Sequence, residues 1–519
     1  MDRSRMFNTA VVYCAILFWL CSCSQARVFR GYHYKINIDK IIDDELHVEL
    51  TFNGKLTDTS YFFLPRIVPG VYDALDYGKF VNNLNAINKK GHQLKVARID
   101  KNCWKIIGAK NLATIKYTTN DGWEAFNFEG LRPYRSSESH FDSAVVIINP
   151  NTVFGYFAKQ ENLPFKINVT KPEYLYGATS LTKKRSLKNE DEYFAESYRV
   201  LADNPIMYAP ADTATIHLPG ISITVACYSN SNLKITKKLA ELIAPLVQNQ
   251  AEYLGGKLAT DKYSFIFYHN TNQEDSKYFA DGLEHNRSTL VLMYAPMDIA
   301  ILKDNIYNLA SHEFFHMQMP LGLHSHEIAN FDFSNPKFSK HLWLYEGMTE
   351  YFTMHMPVKQ KMQAVDQFIH VVEKKIAGMK KFKDNVSFTE LSKNVIQMPD
   401  EYMNVYAKGA LINLCLDIEL MALSGGNYGV QHLVSDLMNK YGKDKPFNDD
   451  DLFGDIYTMT GYHEINSFIE KYIEGTDGLP IKQQLEKVGL HLNIETGNIL
   501  AISNMSEAQT ALRKHWIGQ

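Results

Sequence analysis

With 519 residues, the chain is too long for a single ordinary hydrophobic core, and its length predicts two to four domains. Hydrophobic residues at 45% and charged residues at 22% are typical of a folded protein and exclude a largely disordered one. The formal net charge of -4 lacks the basic excess of a nucleic-acid-binding protein, so nucleic acid is not an expected partner.

The N-terminus has the pattern of a secretion signal. Arg3 and Arg5 precede an apolar stretch at 10–21 that is too short to span a bilayer comfortably. The small residues that follow this stretch are typical of a signal-peptide cleavage site. They predict a signal peptide over 1–26 and export to the periplasm or the cell surface. The letters before Cys23 also resemble a bacterial lipobox, so a lipid anchor at this residue is the alternative, and the only expected contact with a membrane.

Cysteines do not hold this fold together. Three of the six lie in the signal segment, which leaves Cys103, Cys227 and Cys415. Three widely spaced cysteines form neither a disulfide framework nor a cysteine-based zinc site. The stability of the mature chain must therefore come from its hydrophobic core.

The first part of the mature chain alternates apolar and polar residues. Leu46, Val48, Leu50 and Phe52 lie on one face of a strand, and several further short strands are separated by turn dipeptides such as Asn-Gly. This pattern predicts an N-terminal β-sandwich-like domain over 27–230.

The periodicity becomes helical near residue 233. Apolar residues from Ile235 to Leu246 fall on one helical face, which Pro245 should kink or break. Two strands and a helix with the letters HEFFH follow, and the acidic run at 448–451 is typical of a helix N-terminus. Nearly everything beyond 340 is predicted to be helical, at 341–357, 360–381, 408–423, 429–441 and 464–474. The predicted parts are a catalytic domain at 231–358, a helical domain at 359–480 and a tail at 481–519.

The HEFFH letters supply candidate zinc ligands. His312 and His316 are four residues apart on one helical face, and Glu313 beside them is placed to approach a bound water. A catalytic zinc usually has three protein ligands, and Glu346 in the letters LWLYEGMTEYF is the candidate third, with Glu350 one turn later behind it. Two histidines on a buried amphipathic helix, and an exposed carboxylate at Glu346, are the alternatives.

These letters resemble the glycyl-aminopeptidase family of gluzincin zinc metallopeptidases. The letters YFADGLEHNRSTLVLM at 278–293 and VYAKGALINLCLDIEL at 405–420 are similar to two further family motifs, and the similarity covers most of 60–480. The resemblance implies an α+β multidomain fold with an N-terminal β-sandwich-like domain, a thermolysin-like catalytic domain and a helical C-terminal part.

The resemblance also implies roles for seven residues. Each role matches the chemistry that its residue type can supply. They are the zinc ligands His312, His316 and Glu346, the general base Glu313, the oxyanion donor Tyr406, and the substrate-binding residues Glu284 and Gly282.

The sequence departs from the family in three places. Asp281 replaces a glycine and adds a carboxylate near the proposed amine pocket. The letters MQMPLGLHSHEIANF at 317–331 replace the Trp-Asn pair and the basic stretch with which the family usually continues its zinc helix. Within them, His324 and His326 lie in a segment broken by proline and glycine, where a solvated loop is expected and an adventitious metal site is the alternative. The residues after 480 are too few for the PDZ domain of many family members, so none is expected.

The sequence therefore predicts a zinc-dependent aminopeptidase with one zinc ion per chain, which removes small N-terminal residues, glycine or alanine, from peptides with a free N-terminus. A zinc endopeptidase or dipeptidase of the same fold, in which Glu284 anchors no amine, is one alternative. A non-catalytic surface binding protein on a peptidase scaffold is the other.

Overall fold

The computed structural model of the chain describes residues 29–124, 134–231, 233–256, 258–272, 281–294, 302–304 and 306–518. The predicted signal peptide at 1–26, including Cys23, lies outside these residues. A search of the described helices finds none with the length and apolar character that a membrane span requires.

The N-terminal part consists of three sheets around one shared core. The seven-stranded sheet has the order β13-β14-β11-β1-β2-β7-β4, and two four-stranded sheets have the orders β10-β3-β6-β5 and β12-β15-β9-β8. Leu46, Val48, Leu50 and Phe52 are buried on one face of β2, as the alternation predicts. The strands are β1 Gly31–Asn37, β2 Glu45–Asn53, β3 Thr59–Phe63, β4 Val81–Asn88, β5 Lys95–Arg98, β6 Cys103–Ile107, β7 Leu112–Asn120, β8 His140–Phe141, β9 Val146–Ile148, β10 Tyr156–Phe157, β11 Phe165–Thr170, β12 Leu175–Ala178, β13 Thr182–Ser186, β14 Glu190–Ala195 and β15 Ile206–Pro210.

A five-stranded sheet with the order β16-β17-β18-β20-β19 begins the second part. Strands β17, β18 and β20 are parallel, and the edge strands β16 and β19 are antiparallel to their neighbours. The sequence grouped β16 and β17 with the first domain, whereas they pair here with β18, because strand alternation does not reveal which sheet a strand joins. The strands are β16 Thr213–Leu218, β17 Ile221–Ser229, β18 Lys262–Asn270, β19 Asp281–His285 and β20 Ser288–Tyr294.

Helices account for most of the remaining chain. The helix at 236–253 continues through Pro245, so the expected break is absent, and its buried residues Leu239, Ile243 and Leu246 lie in the same core as the sheet. The acidic run precedes a helix that starts at Leu452, as predicted. The helices are Pro150–Val153, Tyr198–Ala202, Thr236–Tyr253, Ser311–Phe315, His326–Ala329, Met348–Lys359, Val365–Met379, Phe388–Lys393, Asn404–Leu423, Val430–Lys440, Leu452–Thr460, His463–Tyr472, Ile481–Lys487 and Glu507–Ile517.

The last residues of the chain belong to the core of the second part. One hydrophobic cluster extends from Ile221 to Ile517 and crosses the expected division near 358. Strands β21 Leu490–Leu492 and β22 Ile499–Ala501 form a small hairpin before the final helix. The described part of the predicted tail, 481–518, therefore packs as part of the helical body.

A buried hydrogen-bond network joins the final helix to the helix at 348–359. The indole N–H of Trp516 donates to the Tyr351 hydroxyl at 2.9 Å, and that hydroxyl donates to Asp417 at 2.6 Å. His355 Nε2 lies 3.0 Å from the carbonyl oxygen of Trp516, and its Nδ1 lies 2.7 Å from the Tyr253 hydroxyl. Burial lowers the pKa of His355 well below its usual value, so the ring is neutral, with one nitrogen donating and the other accepting.

Candidate active site

The HEFFH helix positions its polar residues by burying the aromatic residues between them. A π-helical turn at Ile306–Ala310 leads into the helix Ser311–Phe315. Phe314 and Phe315 are completely buried in the core of the second part. Because these side chains fix the helix rotation, His312, Glu313 and His316 are directed to the opposite side, where the structure brings them together with Glu346 and Glu284.

Three side-chain atoms converge as a tetrahedral metal site requires. His312 Nε2 and His316 Nε2 lie 3.0 Å apart, and Glu346 Oε2 lies 3.4 Å from the first and 3.5 Å from the second. Zinc bonds of about 2.0–2.2 Å at tetrahedral angles place ligand atoms about 3.4 Å apart. The three predicted ligands therefore fit one zinc ion, with a fourth position left for water or substrate.

The charges around this position also fit a divalent cation. Glu284, Glu313 and Glu346 are all buried, and each lies close to His316. Although burial opposes its charge, the carboxylates of Glu346 and Glu284 raise the pKa of His316 to about 9. Buried carboxylates at this density are costly without compensating positive charge, which a zinc ion supplies.

Hydrogen bonds hold both imidazoles with Nε2 toward the metal position. His312 Nδ1 lies 2.8 Å from Glu350 Oε2, and the other oxygen of Glu350 accepts from Lys375. His316 Nδ1 lies 2.9 Å from the carbonyl oxygen of Met319. These partners fix the tautomer and the orientation of each ring, as the partners of metal-binding histidines commonly do.

The position of the Glu346 carboxylate is set by a close contact between two helices and by a hydrogen bond from the N-terminal domain. It lies in a π-helical turn at Trp343–Gly347, where a Cβ on Gly347 would be only 2.7 Å from the Cα of Gly409. The Tyr72 hydroxyl donates to Glu346 Oε1 at 2.7 Å, which leaves Oε2 for the histidines. Although burial opposes ionisation, His316 and His312 hold the pKa of Glu346 far below its usual value.

Glu313 has the environment of a general base. Its side chain is buried, and its Oε2 has no hydrogen-bond partner among the described residues. Burial raises its pKa to about 8, against the influence of the two nearby imidazoles. A Cβ on Gly282 would lie 2.9 Å from Glu313 Oε1, so this glycine provides room for the carboxylate.

Glu284 lies on the edge strand β19 and faces the same site. A Cβ on Gly70, a residue with φ of +81°, would lie 2.4 Å from Glu284 Oε2, so the N-terminal domain contacts this carboxylate through a glycine. Burial raises the pKa of Glu284, and the negative charge of Glu346 raises it further. A substrate ammonium would therefore relieve this carboxylate of an unfavourable environment.

Tyr406 is part of a tyrosine cluster beside the histidines. Its ring centroid is 5.8 Å from that of His312, and its hydroxyl is 2.5 Å from the hydroxyl of Tyr402. Burial and the charge of Glu346 raise the pKa of Tyr406 well above its usual value, so the hydroxyl keeps its proton and can donate it in a hydrogen bond. The sequence did not identify Tyr402 or Tyr72, because nothing in a single sequence separates them from the other tyrosines.

Two departures from the family motifs have structural explanations. Asp281 Oδ2 accepts from the backbone N–H of Ser136 at 2.8 Å, so this carboxylate contacts the N-terminal domain. Burial raises the pKa of Asp281 to about 6. The solvated loop expected for these two histidines is wrong in part: His326 is exposed but begins the short helix His326–Ala329, and His324 is buried with Nδ1 2.9 Å from the carbonyl oxygen of Pro320.

Two family models match this chain. Residues 33–210 match the family model described as Peptidase M61 N-terminal domain, and residues 305–412 match the one described as M61 glycyl aminopeptidase. Together they cover more than half of the chain. A search of curated proteins finds no match.

Two solved structures share the fold. An aminopeptidase N family protein from Idiomarina loihiensis is 20% identical, with a TM-score of 0.75 over 89% of this chain and 78% of that chain. An M1 zinc metallopeptidase variant from Deinococcus radiodurans, bound to a Tyr-Ser-Ala substrate, is 11% identical, with a TM-score of 0.53 over 87% and 95%. These similarities confirm the α+β fold with its β-rich N-terminal domain, thermolysin-like second part and helical C-terminal region.

Proposed function

Because the chain belongs to the M61 glycyl aminopeptidase family of metallopeptidases, we propose that it is a zinc aminopeptidase that removes small N-terminal residues from peptides. The observation that carries the proposal is the position of Glu284. This carboxylate, Glu313 and His316 offer atoms within 4.8 Å of one another, so an anchored amine would lie within reach of the base and the metal ligands. An endopeptidase has no use for a buried carboxylate at that position.

Each residue of the candidate active site has a separate role in the proposed hydrolysis. His312, His316 and Glu346 would hold one zinc ion per chain, which would supply the Lewis acidity that acidifies water and polarises the scissile carbonyl. Glu284 holds the substrate's ammonium, and Glu313 takes a proton from water and returns it to the leaving amine. Tyr406 donates a hydrogen bond to the carbonyl oxygen as negative charge develops there. One water molecule is consumed, and a free amino acid and a shortened peptide are released.

We assign the first side chain of the substrate to a small cavity that adjoins Gly70, the glycine packed against Glu284. It has a volume of about 40 Å³ and is lined in part by Gly70, Tyr72, Phe331 and Phe338. Space of this size accepts only small groups. Glycine and alanine therefore fit better than a bulky first residue.

Hydrolysis of glycyl- and alanyl-p-nitroanilide by the chain from residue 27 onward tests the proposal. We expect turnover that stops with a chelator, returns with zinc and requires an unblocked amine. Equal cleavage of N-acetylated peptides would favour an endopeptidase, and cleavage of dipeptides alone would favour a dipeptidase. Zinc binding without any hydrolysis would favour a binding protein. The proposal includes export of the protein with cleavage of the signal peptide after residue 26. N-terminal sequencing of the secreted chain tests this cleavage.

Replacing Tyr406 tests the oxyanion role. We expect Tyr406→Phe to lower kcat about 100-fold with little change in KM, because a single oxyanion donor contributes about 3 kcal/mol to the transition state. Steady-state kinetics on alanyl-p-nitroanilide measure this effect. Tyr61→Phe, which removes an exposed hydroxyl on β3, is the control. A purely raised KM would assign Tyr406 to ground-state binding instead.

Replacing Glu284 tests the amine anchor. We expect Glu284→Gln to lower kcat/KM for alanyl-p-nitroanilide by at least about tenfold, because the substrate ammonium loses its charged partner. Removal of a charge next to a ligand group could also disturb the metal, so zinc content is measured in parallel. An unchanged kcat/KM with full zinc occupancy would remove Glu284 from the substrate-binding site.

A further inference from the structure

A large cavity opens beside the candidate active site. It has a volume of about 870 Å³, and its lining includes Tyr406 and Glu350, which contact the metal-site residues. Glu284 is not among its lining residues. If the amine is held at Glu284 and the carbonyl oxygen near Tyr406, the peptide beyond the cleaved bond continues toward this cavity.

The cavity carries more positive than negative charge, although the chain as a whole has a net charge of -4. Lys375 pairs with Glu350, and three further lysines line the wall with a single aspartate, which leaves two positive charges in excess. These residues are Lys303, Lys374, Lys381 and Asp304. We call this space the lysine cavity.

The lysines are available to a ligand. Lys374 and Lys381 are exposed, and the side-chain ammonium of neither has an ion pair or hydrogen bond with any other residue that the structure describes. The lining of the same cavity also includes the apolar residues Met354, Val371 and Phe382. A group bound there would lie against an apolar wall with ammonium groups at its rim, where screening by water is weaker than on an open surface.

We propose that the lysine cavity binds the leaving part of the substrate and selects peptides that carry a carboxylate shortly after the cleaved bond. This inference rests on the proposed aminopeptidase function and adds a preference that the zinc site itself does not specify. The carboxylate is either the free C-terminus of a short peptide or an aspartate or glutamate side chain. Either group is a natural partner for an ammonium.

Matched substrates separate these two sources. Alanyl-glycyl-glycine is compared with its C-terminal amide, and alanyl-aspartyl-glycine amide is compared with its asparaginyl counterpart. We expect kcat/KM to be about threefold to tenfold higher for the carboxylate member of at least one pair, with a smaller difference at high salt. The pair that shows the preference identifies the source of the carboxylate.

Charge-neutral variants connect the preference to the cavity. We expect Lys374→Gln and Lys381→Gln each to reduce the carboxylate preference about threefold, and the double variant to abolish it. Lys380→Gln is the matched control, because Lys380 is exposed on the same segment but does not line the cavity, and it should leave the preference and the hydrolysis of alanyl-p-nitroanilide unchanged.

The outcomes distinguish the two proposals. Hydrolysis of alanyl-p-nitroanilide with equal rates for both members of each pair would overturn the carboxylate preference and leave the aminopeptidase standing. A preference that persists in the double variant would place its origin outside the lysine cavity and overturn the assignment. Failure to hydrolyse any of these substrates would overturn both proposals.

Discussion

Glu313→Gln is expected to lower kcat by about 10²- to 10⁴-fold while the protein still binds zinc. Glutamine has nearly the same shape but cannot accept the proton of the attacking water, and a positioned general base typically contributes a factor of this size. Glu313 supplies none of the three converging ligand atoms, so metal content should not change. Kinetics on alanyl-p-nitroanilide and zinc analysis of the same preparation measure both effects.

A distant carboxylate provides the control for that experiment. Glu464 is exposed on the helix His463–Tyr472, and Glu464→Gln should retain full activity. If Glu313→Gln kept more than about a tenth of the activity, another group would have to be the base. If it lost its zinc, the activity loss would report on the metal and leave the base unidentified, and rescue by added zinc separates these cases.

Trp516→Ala is expected to lower the free energy of unfolding by about 3–5 kcal/mol. The indole is completely buried, so its removal leaves a large cavity and deprives the Tyr351 hydroxyl of its donor. Chemical denaturation measures the change as a shift in midpoint at constant slope. Leu500→Ala, which truncates an exposed side chain in the neighbouring hairpin, should change stability by less than about 0.5 kcal/mol.

Trp516→Phe refines this result. Phenylalanine fills most of the space but has no N–H, so it should recover much of the stability while Tyr351 remains without its donor. Equal stabilities of the alanine variant and the parent would show that the final helix contributes nothing to the core, contrary to its packing in the structure.

The two histidines of the candidate metal site could be placed side by side from the sequence because the information for this is local. Two histidines four residues apart lie on the same face in any α-helix. The burial of Phe314 and Phe315 directs that face away from the hydrophobic core. Glu346 followed from its spacing and from the resemblance to a family, since the contact of its helix with Gly409 is invisible in the letters.

What the sequence did not predict depends on contacts between distant segments. Tyr72 lies more than 270 positions before the carboxylate to which it donates, and a single sequence contains no signal for such a pair. The same limit explains why the sequence places β16 and β17 in the first domain, although they pair with β18. Their alternation shows which face is buried, but not which neighbour they pair with.

The contacts of Gly70 and Tyr72 restrict how this protein can change over evolution. Consider a chimera that takes its N-terminal domain from a distant relative with a larger residue in place of Gly70. Any side chain at position 70 would collide with Glu284. Replacement of Tyr72 by a residue without a hydroxyl would remove the hydrogen bond that Glu346 Oε1 accepts. The two halves are therefore expected to be inherited together, with their shared positions varying in concert across related sequences.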